Sequence, residues 1–450
     1  MCRFPGAGAG TKSLWEKLQS LPCHFNWCLE FKDKVNVGHV LQTLALKVEH
    51  AAYQNRSVYL AMRAYLQQLD GSSPDALGSL REAETVLQQE HPTDFSRRVL
   101  LIYGNYAWIY YHLSNYEMVE LYLGRIREIC QFLSSPEPYS VQMPEIHAQK
   151  GWSLLSLGFQ NGEEAQKCFQ VALQGDKSSQ EFQAGLAISA FASWTRCFDF
   201  RLRTEVQSLM EPLLCRQPQN DELKVHLASL LEHKDWRRSE ALAKEVAENS
   251  HHPEHLRFAA RLLKKNNISR AVGILREAIG LAPGYHLLHY ELGVCYKQQL
   301  EGAAGEVREE VLAAAIESFK RAVEADPQSI FFRLELAQLY CERNPTYAEE
   351  MYRNLLEELP KASQRCQQAI YLHWGDFLLR GKGLRLEALE AYKAGCAVLG
   401  GHKKEWQQLT GRLGKLAEVF EKDSEMESAE AAFEVLRLRP QFQKEIEPGY

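Results

Sequence analysis

The feature of this sequence that most constrains its fold is a helical pattern that recurs along the chain. A small residue is followed by a large apolar residue four positions later, by a small or apolar residue three later, and then by proline. Positions i, i+4 and i+7 lie on one face of an α-helix, and proline ends the helix. Three successive units keep this register: Ala271, Leu275, Ala278 and Pro283; Ala315, Phe319, Ala322 and Pro327; Ala348, Tyr352, Leu355 and Pro360.

The pattern is typical of tetratricopeptide repeats, which are helix–turn–helix units of about 34 residues that stack side by side. Further units with incomplete proline register begin at Ala76, Ala165, Ala388 and Ala429. The sequence therefore predicts an all-α tetratricopeptide superhelix that requires no β-structure. Because the spacing is uneven, we expect sub-bundles around a central groove or tunnel: a disordered tail at 1–13 and subdomains at 14–145, 146–250 and 251–450.

Composition limits where such a chain works and what it binds. The formal net charge is −6, so a nucleic-acid site must be a local basic pocket and not a basic surface. The 11 cysteines contain no CxxC pair, which is typical of reduced intracellular thiols. No signal peptide and no apolar run of about 18 residues is present. We expect a cytoplasmic protein that has no membrane contact.

Motifs for catalysis are missing from the sequence. The glycine-rich stretch 6–13 resembles a phosphate-binding loop, but Thr11 stands before Lys12 where that motif needs glycine, and no strand precedes it. Cys23 next to His24 is better explained as a core thiol than as a nucleophile, since sequence adjacency does not give catalytic geometry. No zinc-ligand spacing occurs. We expect no enzyme activity, no catalytic residue, no cofactor and no metal site.

A basic stripe is the richest local feature. Arg257, Arg261 and Lys264 follow the i, i+4, i+7 spacing, so they lie on one helix face, with Phe258 beside them. First helices of this repeat line the concave surface, where cations with an aromatic ring suit phosphates or a stacked base. A solvated charged face is the alternative interpretation, and the residues alone leave both open.

Several segments in the first third of the chain, taken in order, resemble the interferon-induced proteins with tetratricopeptide repeats. They are Cys23–Trp27, Gln88–His91, Gly104–His112, Leu133–Pro136 and Lys150–Trp152. The resemblance covers roughly residues 15–440. It implies a cytosolic antiviral effector that binds the 5′ end of single-stranded RNA, as triphosphate or incompletely methylated cap, in a basic tunnel. Such a protein withholds viral RNA from translation and hydrolyses no nucleotide.

The resemblance also implies which residues contact RNA. Thr43 matches a pocket threonine on an early helix, and Lys47 lies one turn further on. Arg257 and Phe258 match an arginine–aromatic pair after the central linker, and Lys264 matches a further basic residue. A third region is marked by Tyr290, which stands where the family has a polar residue or histidine that contacts RNA. Arg261 joins this set through the basic stripe.

Two positions depart from the family pattern. Ala192 stands where the family has an arginine that meets the terminal phosphates, and Ser156 stands where it has a lysine. Arg196 lies one helical turn from Ala192 and is the candidate replacement. Because charge-assisted hydrogen bonds to phosphate are strong, we expect these two losses to weaken binding of an RNA 5′ end.

The sequence supports two classes of function. The first is an antiviral, RNA-end-binding protein with single-stranded RNA as its partner and no DNA. The second is a protein-binding adaptor in innate immune signalling, with related tetratricopeptide proteins among its partners. Cations with stacking aromatics favour RNA, whereas apolar and mixed-charge walls favour a peptide.

Overall fold

The computed structural model describes residues 9–27, 29, 37–51, 53–197 and 199–437. Within these ranges the regular elements are α-helices and two short 3₁₀-helices, with no β-strand. Two compact units, Met1–His255 and Leu256–Tyr450, divide the chain. The subdomain boundaries predicted after residues 145 and 250 both stay predictions.

In the described part of the first unit, thirteen helices are complete and a fourteenth begins. Their bounds are α1 (Ala9–Gln19), α2 (Val37–Glu49), α3 (Arg56–Leu69), α4 (Ser73–Glu90), α5 (Phe95–Arg98), α6 (Leu100–His112), α7 (Tyr116–Phe132), α8 (Pro144–Ser156), α9 (Gly162–Gly175), α10 (Gln180–Cys197), α11 (Phe200–Arg216), α12 (Asp221–Leu231), α13 (Trp236–Asn249) and α14 (Pro253–Leu263). A 3₁₀-helix, Phe159–Asn161, precedes α9.

The second unit continues the series from within α14. Its helices are α15 (Ile268–Leu281), α16 (His286–Leu300), α17 (Gly305–Ala325), α18 (Ile330–Arg343), α19 (Pro345–Glu357), α20 (Gln364–Gly381), α21 (Arg385–Ala397), α22 (Lys403–Lys422) and α23 (Met426–Arg437). The second 3₁₀-helix is Leu359–Lys361. None of the helices in the described part of the chain combines the length and apolar composition that a membrane crossing needs.

A glycine on the first helix and an aromatic ring on the second hold the repeat pairs together. The ring of Phe319 on α17 is fully buried, and a Cβ added to Gly293 on α16 would lie 2.8 Å from it. Tyr392 on α21 and Gly375 on α20 have the same relation, at 2.4 Å. These two second-helix aromatics are therefore core residues that occupy space left by a missing side chain.

The predicted disordered tail at 1–13 is partly wrong, because α1 begins at Ala9. Leu14 and Leu18 of this helix are buried in the core of the first unit. Helix formation is cooperative, so this anchored stretch extends the helix toward its N-terminal side. Residues 1–8 lie outside the described residues.

The Cys23–Trp27 segment is held by a buried hydrogen-bond network. The Asn105 amide donates to His24 Nδ1 at 2.8 Å, which leaves the proton on Nε2, 2.8 Å from Ser153 Oγ. Ser153 Oγ in turn donates to the Gln149 carbonyl at 2.8 Å. Burial raises the pKa of the Cys23 thiol to about 12, so a thiolate nucleophile is disfavoured there. His24 and Cys23 are thus structural residues.

We predict that His24 makes stability fall on acidification. Burial lowers the pKa of its imidazole to about 3, against about 6.5 in the unfolded chain. This contribution is fully present above about pH 6.5 and is lost as pH falls toward 3, at up to roughly 1.4 kcal/mol per pH unit. Urea unfolding at pH 7.5 and 5.5 should show a smaller pH-dependent loss for His24→Gln than for the unchanged protein. Equal losses in the two proteins would contradict the assignment.

Candidate nucleic-acid interface

The predicted basic stripe lies on α14. Leu256, Ala259 and Ala260 on this helix are buried and fix its packed face. Arg257 is nevertheless almost as buried as they are, with its side chain 10% exposed, whereas Arg261 is exposed. The three cations of the stripe therefore have different surroundings, which the even spacing in the sequence does not indicate.

A carboxylate that the spacing within α14 does not predict contacts two cations of this stripe. Glu291 on α16 lies with Oε1 3.2 Å from Arg257 Nη1 and Oε2 3.9 Å from Lys264 Nζ. Its side chain is 13% exposed, so the ion pairs are partly shielded from water. A signal for this contact exists in the sequence, since Glu291 follows Arg257 by 34 positions, about one repeat length.

The ring of Phe258 is engaged by two guanidinium groups. The Cζ atoms of Arg257 and Arg261 lie 4.7 and 4.8 Å from its centroid, within the range of cation–π attraction. Phe258 therefore orients both arginines. A base at this position would meet the planar guanidinium groups, which also provide stacking surfaces.

Tyr290 belongs to an aromatic cluster of the second unit. Its ring centroid lies 4.9 Å from that of Phe332 and 5.7 Å from that of Phe319. Burial, and then the neighbouring carboxylates of Glu335 and Glu291, raise the pKa of its phenol. The hydroxyl is therefore a neutral hydrogen-bonding group in the physiological range of pH.

Thr43 and Lys47 lie together on α2 of the first unit. The Thr43 hydroxyl donates to the His39 carbonyl at 3.0 Å. Lys47 Nζ lies 3.9 Å from Glu222 Oε1 and 5.5 Å from the centroid of the Tyr59 ring. Lys47 is thus a half-buried cation next to a carboxylate and an aromatic face.

A second polar cluster of the first unit was not predicted. Trp152 Nε1 donates to Glu181 Oε1 at 3.1 Å, and the Arg98 guanidinium is 3.6 Å from the same carboxyl group. Burial raises the pKa of Glu181, and Arg98 opposes that rise. Tyr53 lies with its ring centroid 6.0 Å from that of Trp152, and Asn220 donates to its hydroxyl at 2.8 Å. Within this cluster, the family resemblance marks Trp152 alone.

The two residues that depart from the family pattern, Ala192 and Ser156, are both buried in the core. Ala192 is fully buried, and a Cβ added to Gly162 would lie 2.9 Å from its methyl group. Ser156 is buried as well, and its hydroxyl donates to the Ser153 carbonyl at 2.7 Å. Arg196, the candidate replacement, donates from Nη1 to the Gln160 carbonyl at 3.1 Å. This contact ties the end of α10 to the 3₁₀-helix, and the phosphate role of Arg196 stays a prediction.

The comparisons with known proteins identify the family. Searched against models of protein families, the sequence matches none. The human protein named antiviral innate immune response effector IFIT1 is 32% identical over 382 residues, which cover 80% of this chain and 79% of that protein. The chain belongs to the interferon-induced proteins with tetratricopeptide repeats. Another relative, interferon-induced protein with tetratricopeptide repeats 2 from Cricetulus griseus, is 29% identical over 432 residues, covering 90% and 87% of the two chains.

Solved structures of the family have the same fold. The human IFIT1 dimer with m7Gppp-AAAA matches at a TM-score of 0.72 and 28% identity over 95% of this chain and 99% of that chain. The human IFIT1 dimer with PPP-AAAA matches at 0.70 and 27%, with the same coverage. A monomeric IFIT1 mutant with Gppp-AAAA matches at 0.73 and 27%, over 95% and 100%. The family resemblance and the all-α tetratricopeptide fold predicted from sequence are therefore confirmed.

We predict that an arginine cannot be restored at position 192 without loss of stability. Because Ala192 packs against the start of α9, Ala192→Arg overfills the core and buries a charge, and should lower the free energy of unfolding by about 3 kcal/mol or more. Thr195→Arg on the same helix starts from a half-buried residue and should cost less than about 1 kcal/mol. Urea denaturation measures both, and equal losses would show that packing at Ala192 is not the cause.

Proposed function

We propose that this chain is an antiviral effector that binds the 5′ end of single-stranded RNA, as triphosphate or incompletely formed cap, and so blocks its translation. Membership of the family carries the proposal, because similar structures of human IFIT1 contain PPP-AAAA and m7Gppp-AAAA. The work takes place in the cytoplasm by binding alone, without catalysis. RNA that is incubated with the protein and Mg²⁺ should therefore stay intact.

Each of the two units contains residues that support contact with RNA. In the second unit, the exposed guanidinium of Arg261 on the Phe258 ring offers charge and a planar surface to a phosphate or a base. In the first unit, Lys47 offers a cation near the Tyr59 ring. Thr43 and Tyr290 offer neutral hydroxyl groups, which suit sugar or base edges better than phosphates.

The adaptor alternative has its own supporting observation. Further along the second unit, cations on first helices pair with carboxylates on the neighbouring first helix. Lys297 on α16 lies 2.5 Å from Glu335 on α18, and Arg412 on α22 lies 2.8 Å from Asp376 on α20. A wall of paired charges suits a polar peptide. Related tetratricopeptide proteins are the partners that this alternative predicts.

We predict that RNA binding depends on the exposed end of the basic stripe. Arg261→Glu should weaken binding of a short 5′-triphosphate RNA at least tenfold, because it replaces an attractive charge by a repulsive one near the phosphates. Arg321→Glu makes the same change in charge on an exposed arginine of α17, outside the stripe, and should alter the affinity less than twofold. Fluorescence anisotropy at 50 and 200 mM salt measures both.

The RNA end provides the second test of this proposal. The unchanged protein should prefer 5′-triphosphate RNA over 5′-hydroxyl RNA, with an affinity that falls as the salt concentration rises. Absence of that preference, together with no effect of Arg261→Glu, would favour the adaptor function over the RNA-end function.

A further inference from the structure

One carboxylate of the neighbouring first helix lies between two cations of the basic stripe. Glu291 reaches Arg257 with one oxygen and Lys264 with the other, at 3.2 and 3.9 Å. Two cations that converge on one anion are the usual arrangement of a phosphate site. Here the anion is part of the chain.

The two ion pairs of Glu291 are not equivalent. Arg257 is nearly buried, donates a hydrogen bond to Glu291 and packs on the Phe258 ring. Lys264 lies at 3.9 Å, at the outer limit of an ion pair, on a long side chain with rotatable donors. Arg257 is therefore the fixed partner, and Lys264 is the cation that is able to turn toward a ligand.

The next ion pair along the second unit differs from this arrangement. Lys297 meets both Glu335 and the Gln338 side-chain oxygen, at 2.5 and 2.7 Å, so one cation has two acceptors. At Glu291 one carboxylate instead meets two cations. A second anion that approached these cations would have to compete with a carboxylate that already bridges them.

We infer that Glu291 is a specificity-determining residue that competes with RNA phosphate for Arg257 and Lys264. The inference rests on the proposed function, because it assigns the stripe a phosphate group of single-stranded RNA as its ligand. A single phosphate must enter against the Glu291 charge, so it binds weakly. Glu291 lowers the affinity and the salt dependence that the cations would otherwise give.

The experiment compares Glu291→Gln with the unchanged full chain. The substitution keeps a side-chain oxygen that accepts from Arg257 but removes the competing charge. The affinity for 5′-triphosphate RNA at 50 mM salt should rise about tenfold. The slope of log K against log salt should steepen by about 0.7, the value for one additional phosphate contact on a single strand. A 5′-hydroxyl RNA of the same sequence distinguishes a terminal phosphate, where the gain is confined to the triphosphate, from an internal one, where both RNAs gain.

Glu358→Gln is the matched control. Glu358 pairs with Arg333 through two hydrogen bonds of 2.6 and 2.7 Å in the same unit, so the substitution makes the same net-charge change and releases a guanidinium elsewhere. The control should change RNA affinity less than twofold. An equal gain in both variants, or an unchanged or weaker affinity in Glu291→Gln, would overturn the inference.

A second variant and a second ligand keep the result decisive. Glu291→Asp withdraws the carboxylate by one methylene and should raise RNA affinity two- to threefold; if Glu291→Gln fails to fold, absence of this gain overturns the inference. Inorganic tripolyphosphate should raise the melting temperature of Glu291→Gln more than that of the unchanged protein. That outcome without RNA binding in either protein supports the Glu291 role and rejects the RNA function. If both proteins bind RNA with equal affinity, the RNA function is supported and the Glu291 role is rejected. If neither protein responds to RNA or to tripolyphosphate, the RNA function and the Glu291 role are both rejected.

Discussion

Each unit depends on the close approach of paired helices. In such a pair, an aromatic ring on one helix fills the space over a glycine on the other. Phe319 over Gly293 and Tyr392 over Gly375 are the examples in the second unit, and Phe169 over Gly151 repeats it in the first. Buried aromatic side chains contribute much of the apolar area of a small core. A side chain at any of these glycines would push the paired helices apart, since its Cβ would lie less than 3 Å from ring atoms. The spacing of the pairs, and with it the register of the first helices, follows from this contact.

That register decides which charged residues meet. Residues about one repeat apart occupy similar positions on neighbouring first helices, so Arg257 faces Glu291 and Asp376 faces Arg412. A cation on one first helix therefore lies next to the residue at the equivalent position of the following first helix. In an overall acidic chain that neighbour is often a carboxylate. The electrostatics of the candidate interface are thus a property of repeat pairs and not of single helices.

The sequence was sufficient to predict the helices and the repeat, because period and small–aromatic spacing are local signals. It also identified the cations of α14. It did not predict that Arg257 is nearly buried. Helical spacing gives the helix face on which a residue lies, but not how far neighbouring helices cover that face. The carboxylate of Glu291 was missed for the same reason, although its position one repeat after Arg257 was visible. The Trp152–Glu181 cluster depends on two helices that meet in space, for which the spacing within one helix has no signal.

Three positions in this chain limit the positive charge that is available to an RNA phosphate. Ser156 and Ala192 of the first unit lack the cations that the family resemblance implies, and Glu291 of the second unit sets a carboxylate against two cations. Fewer unpaired cations mean fewer counterions released on RNA binding, and so a weaker dependence of affinity on salt. A larger share of any RNA affinity must then come from neutral and planar groups such as the Tyr290 phenol and the guanidinium faces held by Phe258. Such groups read bases and sugars, whose recognition survives physiological salt better than recognition of phosphate charge alone.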